Sequence, residues 1–244
     1  MKVGLIAKNL TRRIGGRDIV RDVSVSIYPG RCTMLLGANG AGKSATMKMI
    51  AGVDTWDSGT ILLDGRVVDS RSRNQEGSRI WPTVVMVFAS PYLWPHLTVA
   101  DNWRLVSESS ATPEVSIAQV KILASELEVE HLVGRRPNQL SRGEQSRVAL
   151  IRSLAALPRY LLVDEPSANL SISHVNRMGR VLKRCCESGM GLLVSTPLLG
   201  FGQAIGDSFI FLENGEIIEI GETSALARPQ SSGLRRFLDI AEPQ

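Results

Sequence analysis

The chain has 244 residues, 43% of them hydrophobic and 21% charged, so it reads as an ordinary globular protein able to bury a sizeable core in one domain or two closely joined subdomains. A formal net charge of +4 gives no argument for nucleic acid as a partner, and no stretch approaches the roughly 18 consecutive apolar residues that would span a bilayer. Three cysteines, two of them adjacent (Cys185 and Cys186), do not make a disulfide framework and fit a reducing cytosol.

In chain order, Met1 to Leu5 run straight into a strand-like segment, so no signal peptide is expected. Met34, Leu35 and Leu36 form a short apolar run of buried-strand type. They are followed by Gly37-Ala38-Asn39-Gly40-Ala41-Gly42-Lys43-Ser44, which fits G-x-x-x-x-G-K-[ST] in full. Ala45 to Ala51 can continue as a helix ending at Gly52. Glycines there let backbone N–H groups turn inward around phosphate oxygens, and the helix N-terminus adds its positive dipole end. Lys43 is expected to reach the β- and γ-phosphates, and the Ser44 hydroxyl to ligate Mg²⁺.

Further along, Pro113, Gly134 and Pro137 punctuate a helical stretch. Ser141 and Glu144 form S-x-x-E, the pattern of a capping box. Tyr160-Leu161-Leu162-Val163 is an apolar strand that ends in Asp164-Glu165-Pro166, placing two carboxylates where open α/β sheets hold ligands. Asp164 is expected to support Mg²⁺ through water and Glu165 to polarise the attacking water. Asn214-Gly215 is a hairpin turn pair. His96, His131 and His174 read as surface or structural residues. Cys185-Cys186 read as packing residues, since no matching Cys/His set accompanies them.

A phosphate loop alone leaves many nucleoside triphosphatases open. The narrowing feature is Leu140-Ser141-Arg142-Gly143-Glu144-Gln145, which resembles the L-S-G-G-Q signature of ABC ATPases and precedes the acidic strand as it does in that family. The resemblance extends over nearly the whole chain. It includes Val25 to Gly30 before the phosphate loop, the hairpin Asp57 to Gly65, the stretch Leu93 to Val99 leading into a helical subdomain, and the hairpin Phe211 to Ile218. It implies an α/β fold, a P-loop NTPase (RecA-like) core with an N-terminal antiparallel β element and an inserted helical subdomain. Residues 1–88 and 159–222 would form the core and 89–158 the helical subdomain. Residues 223–244 would be a short tail, leaving no room for a regulatory C-terminal domain.

The resemblance further implies ATP and Mg²⁺ as cofactors. Gly37, Ala38, Asn39, Gly40, Ala41, Gly42, Lys43, Ser44 and Ala45 would bind the nucleotide. Ser44 and Asp164 would serve the metal, and Glu165 the chemistry. Ser141, Arg142, Gly143 and Glu144 would complete the ATP site of a second cassette. The implied partners are transmembrane permease subunits, that second cassette (a like or unlike copy) and a solute-binding protein. Nucleic acid is not among them. The chain would then sit at the cytoplasmic face of the cell membrane through its permease.

Several positions depart from the family pattern. Ala89 stands where Gln touches Mg²⁺ and water, and Pro197 where His contacts the γ-phosphate. Ile14 replaces the aromatic that stacks on adenine, Ala45 a common Thr, and Ser171, at the end of Ser167-Ala168-Asn169-Leu170-Ser171, a common Asp. ATP binding is expected to survive and hydrolysis at the chain's own loop to be slow. A complete signature beside a depleted site favours pairing with a different cassette. The leading expectation is the energising subunit of a transporter, with sugar as the preferred solute because Ser171, the Asp57-Ser58-Gly59 hairpin and Pro95 to Val99 resemble monosaccharide-importer ATPases. Polar amino acids come next. The alternatives are a soluble ABC protein of translation or DNA repair and a degenerate cassette that senses ATP without useful turnover.

Overall fold

A computed structural model describes residues 3–68, 80–166 and 170–241. Its centre is a six-stranded sheet of order β10-β9-β3-β8-β7-β6, built from β3 (Cys32–Leu36), β6 (Val84–Val87), β7 (Tyr160–Asp164), β8 (Gly191–Ser195), β9 (Ser208–Glu213) and β10 (Glu216–Glu222). The pairings β9–β3, β3–β8, β8–β7 and β7–β6 are parallel, and β10 closes one edge as an antiparallel hairpin partner of β9. The residues of β3, β6, β7 and β8 are buried throughout, as parallel strands covered on both faces require.

Side-chain alternation along β7 divides two packing layers. Tyr160 and Leu162 join the core toward the N-terminal sheet, and Leu161 and Val163 the core toward the helices. The N-terminal sheet is antiparallel, of order β2-β1-β4-β5, with β1 (Leu5–Ile14), β2 (Arg17–Ile27), β4 (Ser58–Leu63) and β5 (Arg66–Val68). Asp64, in the turn between β4 and β5, ties the two sheets together. It accepts from Tyr160 Oη–H at 2.7 Å, from Arg159 at 2.9 Å and from Gly4 N–H at 3.1 Å.

Helix α1 (Lys43–Ile50) follows β3 directly, buries Met47, Met49 and Ile50, and stops at Gly52, whose φ of +64° lies in the left-handed region that ends helices. Helices α2 (Val99–Glu108), α3 (Pro113–Glu126) and α4 (Arg142–Leu154) form the inserted helical layer. Trp103 anchors them, 4% exposed, its indole N–H donating to Val148 O at 3.0 Å. The bend before α2 is fixed by fully buried Asn102, which accepts from Trp94 N–H and donates to the carbonyls of Trp94 and Thr98.

Helix α5 (Ile172–Glu187) packs Val175, Met178, Val181, Leu182, Cys185 and Cys186 inward, and α6 (Leu199–Ile205) follows β8. The expected short tail holds structure of its own: α7 (Ser232–Ala241) buries Leu234 and sets Phe237 5.5 Å from Phe211 of the sheet. Apolar residues at helical spacing give this segment a face to bury. Among the described residues no helix is long and apolar enough to cross a membrane.

Candidate nucleotide-binding site

The ends of β3, β8, β7 and β6 lie side by side, so the segments that follow them converge on one edge of the sheet. After β3 comes the glycine loop. Gly37 has φ +148°, and a Cβ there would sit 2.3 Å from Leu212 O, so only glycine allows the loop to leave the strand against β9. Gly40 has φ +82° with open space where its Cβ would point, the geometry of a cradle wall that faces a ligand. The hairpin turn Asn214-Gly215 props the loop from outside, because Gly215 N–H donates to Ala41 O at 3.0 Å and Gly215 O accepts from Arg21 N–H at 2.7 Å.

Helix α1 has Gly42 as N-cap and no side-chain cap, so its first N–H groups are left for an anion. Lys43 is 6% exposed and donates to Gly37 O at 2.8 Å and Ala38 O at 3.1 Å. Its ammonium lies 3.9 Å from Glu165 Oε1. Thr46 Oγ1, buried one residue past Ala45, has no hydrogen-bond partner among the described residues. Together these groups fit a triphosphate: a glycine cradle, uncapped N–H donors and a cation now held by loop carbonyls.

The acidic side is built by a group that sequence reading passed over. Asp164 is 3% exposed, and its Oδ1 accepts from Ser195 Oγ–H at 2.6 Å. The same Ser195 hydroxyl and the Ser195 carbonyl each accept from Glu165 N–H at 3.0 Å. Glu165 has φ +47°, a costly backbone for a non-glycine residue, and these two bonds hold it there. The bend is what turns its carboxylate toward Lys43. Only the pairing of β7 with β8, which sets Asp164 opposite Ser195, could reveal this.

A hard cation here would find the Ser44 hydroxyl and the Asp164 carboxylate, a small protein set of the kind that Mg²⁺ accepts when phosphates and water complete its shell. No larger group of His, Cys, Asp and Glu that could hold a metal occurs among the described residues. Ala89 borders Glu165 in a small crevice with Val163 and Met178 and offers no polar atom there. Pro197 follows β8 and is exposed. Ile14, at the end of β1, is 51% exposed.

The signature residues lie apart from this site, around a separate cavity of about 430 Å³ that includes His174 and no phosphate-loop residue. The expected capping box is present. Ser141 N–H donates to Glu144 Oε2 at 2.7 Å, the Ser141 hydroxyl donates to the same oxygen at 2.8 Å, and Glu144 N–H donates to Ser141 Oγ at 3.3 Å. The Ser141 N–H, then its hydroxyl, hold the Glu144 carboxyl below its ordinary range.

Ser167, Ala168 and Asn169 lie outside the described residues. Ser171 caps the start of α5, 2.8 Å from His174 Nδ1, whose Nε2 lies 3.5 Å from Glu128; His96 and His131 are exposed. Burial raises the pKa of all three thiols, which are unpaired and serve as packing.

Sheet, loop and helical insertion define a P-loop nucleotide-binding cassette. The profile of the ABC transporter family matches residues 20–168, and the chain belongs to that family. It is 32% identical over 235 residues to an uncharacterized amino-acid ABC transporter ATP-binding protein of Escherichia coli, YhdZ, covering 95% of this chain and 92% of that one. It is 34% identical over 228 residues to the glutamate transport ATP-binding protein GluA of Corynebacterium glutamicum, covering 92% and 93%.

Among solved structures, an ATP-binding cassette in a dimeric post-hydrolysis state bound to ADP and Pi superposes with a TM-score of 0.81 at 25% identity, covering 90% of this chain and 98% of that one. The sugar-importer expectation is corrected here. Relatives named for glutamate, glutamine and arginine transport take that place, and the short stretches that suggested sugar do not discriminate solute.

Proposed function

We propose that this chain is the ATP-binding subunit that energises an importer of amino acids or similar small polar solutes. It would work with transmembrane permease subunits, a second cassette and a solute-binding protein at the cytoplasmic face of the membrane. The observation that carries the reading is the approach of Lys43 Nζ to Glu165 Oε1, 3.9 Å, inside a glycine loop at the carboxyl edge of a parallel sheet. In this reading residues 37–45 wrap the phosphates, and Lys43 leaves the carbonyls of Gly37 and Ala38 for the β- and γ-oxygens. Ser44 ligates Mg²⁺, and Asp164, oriented by Ser195, supports it through water. Glu165 polarises the attacking water. Ser141 and Gly143 meet the nucleotide of the second cassette. The solute class is supported by the names of the relatives.

A cleft of about 560 Å³ between the sheet core and the helical layer supports the permease partner. Trp56, Trp81, Phe88, Tyr92 and Trp94 line it, and Trp81 and Tyr92 are 50% and 68% exposed, an aromatic patch suited to a partner's helix. Arg152 braces its wall. It donates to Tyr92 O at 2.7 Å and Pro91 O at 3.1 Å and lies 4.9 Å from the centre of the Trp94 ring, while burial lowers its pKa to about 10.

The test is a thermal-shift titration. At Mg-ATP about 100 times Kd, binding adds roughly 2.7 kcal/mol of apparent stability. Lys43→Ala is expected to abolish that gain, and an unshifted wild-type melt at millimolar Mg-ATP overturns the reading. Ala89 and Pro197 favour a second one, a cassette that senses ATP without useful turnover. Phosphate release by the complex with its permease separates the two.

A further inference from the structure

The signature cavity holds more positive charge than its serine and glycine require. Arg147, in the second turn of α4, is 5% exposed and lines the cavity, yet its Nε has no hydrogen-bond partner among the described residues. The carboxylates near it are already engaged. Glu144 is bonded to Ser141, and Glu128 pairs with Arg177 at 2.6 Å and faces His174. A buried guanidinium left in this state is costly and calls for an anion.

Arg142 stands one residue beyond the Ser141 cap, is exposed, and makes no ion pair or side-chain hydrogen bond among the described residues. Against these two cations stands one obstacle. The Ser141 hydroxyl spends its proton on Glu144, and an ionised carboxylate at the mouth of the cavity repels phosphate.

Resting on the reading of a shared ATP site, we propose that Arg142 is a further phosphate-binding residue. Its guanidinium contacts the terminal phosphate of a nucleotide seated on the phosphate loop of a second copy of this chain. Arg147 is the positioning residue of the same device: it takes the Glu144 carboxylate as the phosphate arrives, which frees the Ser141 hydroxyl to donate. A second copy is an adequate partner because the loop from Gly37 to Ser44 is complete. A planar guanidinium supplies two parallel donors to phosphate, whereas a lysine supplies a point charge.

The experiment is sedimentation velocity of the full chain carrying Glu165→Gln, titrated with Mg-ATP, with Mg-ADP as control. Pairing is expected with ATP only. Arg142→Ala is expected to raise the ATP concentration at half-pairing about tenfold, the scale of one charge-assisted hydrogen bond, and to flatten its dependence on salt. Arg142→Lys is expected to recover part of the loss. Arg147→Gln is expected to weaken pairing, and Glu144→Gln added to it to restore pairing, because no charged carboxylate is then left to withdraw. A purely structural arginine would not be rescued in this way.

Glu144→Gln alone, which does not disturb the buried arginine, is expected to lower the half-pairing concentration. An unchanged value in Arg142→Ala overturns the role of Arg142 and leaves the shared-site reading intact. Failure of Glu144→Gln to strengthen pairing, alone or with Arg147→Gln, overturns the role of Arg147. Absence of ATP-driven pairing in the Glu165→Gln parent, with ATP binding present by thermal shift, overturns the inference and the shared-site reading together.

Discussion

The two nucleotide-facing regions of this chain are built by opposite strategies. On the phosphate-loop side, the groups that would meet ATP are buried and already bonded to one another. Lys43 is held by Gly37 and Ala38, Asp164 by Ser195, and the Glu165 backbone by Ser195 twice. On the signature side, the groups lie at an exposed helix start, where Ser141 and Glu144 cap each other and two arginines lack hydrogen-bonded partners. The first site is preorganised by the core and poor in extra polar groups, with Ala89 and Pro197 at its margin. The second is organised by a cap that can exchange partners. Preorganisation fixes geometry at little cost on binding, whereas an exchangeable cap makes one side responsive to what the other brings.

The comparison breaks most visibly through two substitutions in the reconstituted complex with its membrane subunits. Ser141→Arg puts bulk and charge at the start of α4 and is expected to abolish ATP hydrolysis. Lys43→Ala is expected to reduce it only in part, since the chain's own loop is the slower site in our reading. Steady-state phosphate release measures both. Equal damage would mean that the two regions are equivalent or tightly coupled, and the contrast would fall.

A smaller effect is expected from Glu165→Gln in the chain purified alone. A positioned acid–base group contributes about 10²–10⁴-fold where its helpers are present. With Ala89 and Pro197 in place of polar partners, the loss should stay well under that range. Wild-type turnover of tens per second would show that some other group supplies the missing help.

Ser195→Ala sharpens the claim that the core builds the first site. It removes the hydroxyl bonded to buried Asp164 and one of two acceptors for Glu165 N–H. The expected cost is about 1–3 kcal/mol, read as a fall in Tm of about 2–4 °C for each kcal/mol. An unchanged melt would place the support of Asp164 elsewhere.

The smallest effect belongs to the exposed cap. The Glu144 pKa is depressed in the folded chain, chiefly by the Ser141 N–H. Its contribution is therefore complete above the ordinary Glu value of about 4.3 and fades as pH falls through the lower folded value. Glu144→Gln is expected to remove that limb from the stability profile and to leave stability near neutral pH almost unchanged. A profile that keeps the same acid limb would assign it to other carboxylates.

Much of the first site was legible in sequence because its chemistry is contiguous. Eight residues from Gly37 to Ser44 carry cradle, cation and hydroxyl together, and Tyr160 to Glu165 carry strand and carboxylates together. The capping box of Ser141 and Glu144 was legible for the same reason: a helix start is a local event. Ser195 was not legible as a supporting residue, since its role comes from lying opposite Asp164 across two paired strands. Arg147 read as one more charge on a helix until burial removed its solvent. The C-terminal segment read as a tail because its helix gains its value from Phe209 and Phe211, which are distant in sequence.

By itself, then, the sequence determined the local devices: a glycine loop that leads from strand to helix, an acidic strand end, and a capped signature helix. Each is set by residues close enough along the chain for backbone sterics and short-range hydrogen bonds to decide. Only the tertiary structure decided which of them meet. Parallel pairing of β3, β8 and β7 brings Lys43, Glu165, Asp164 and Ser195 to one edge, while α4 carries Ser141, Arg142 and Arg147 to a cavity of its own. Strand order and burial are properties of the packed core, and they set the charge balance of each site by choosing which groups keep water and which must find a partner.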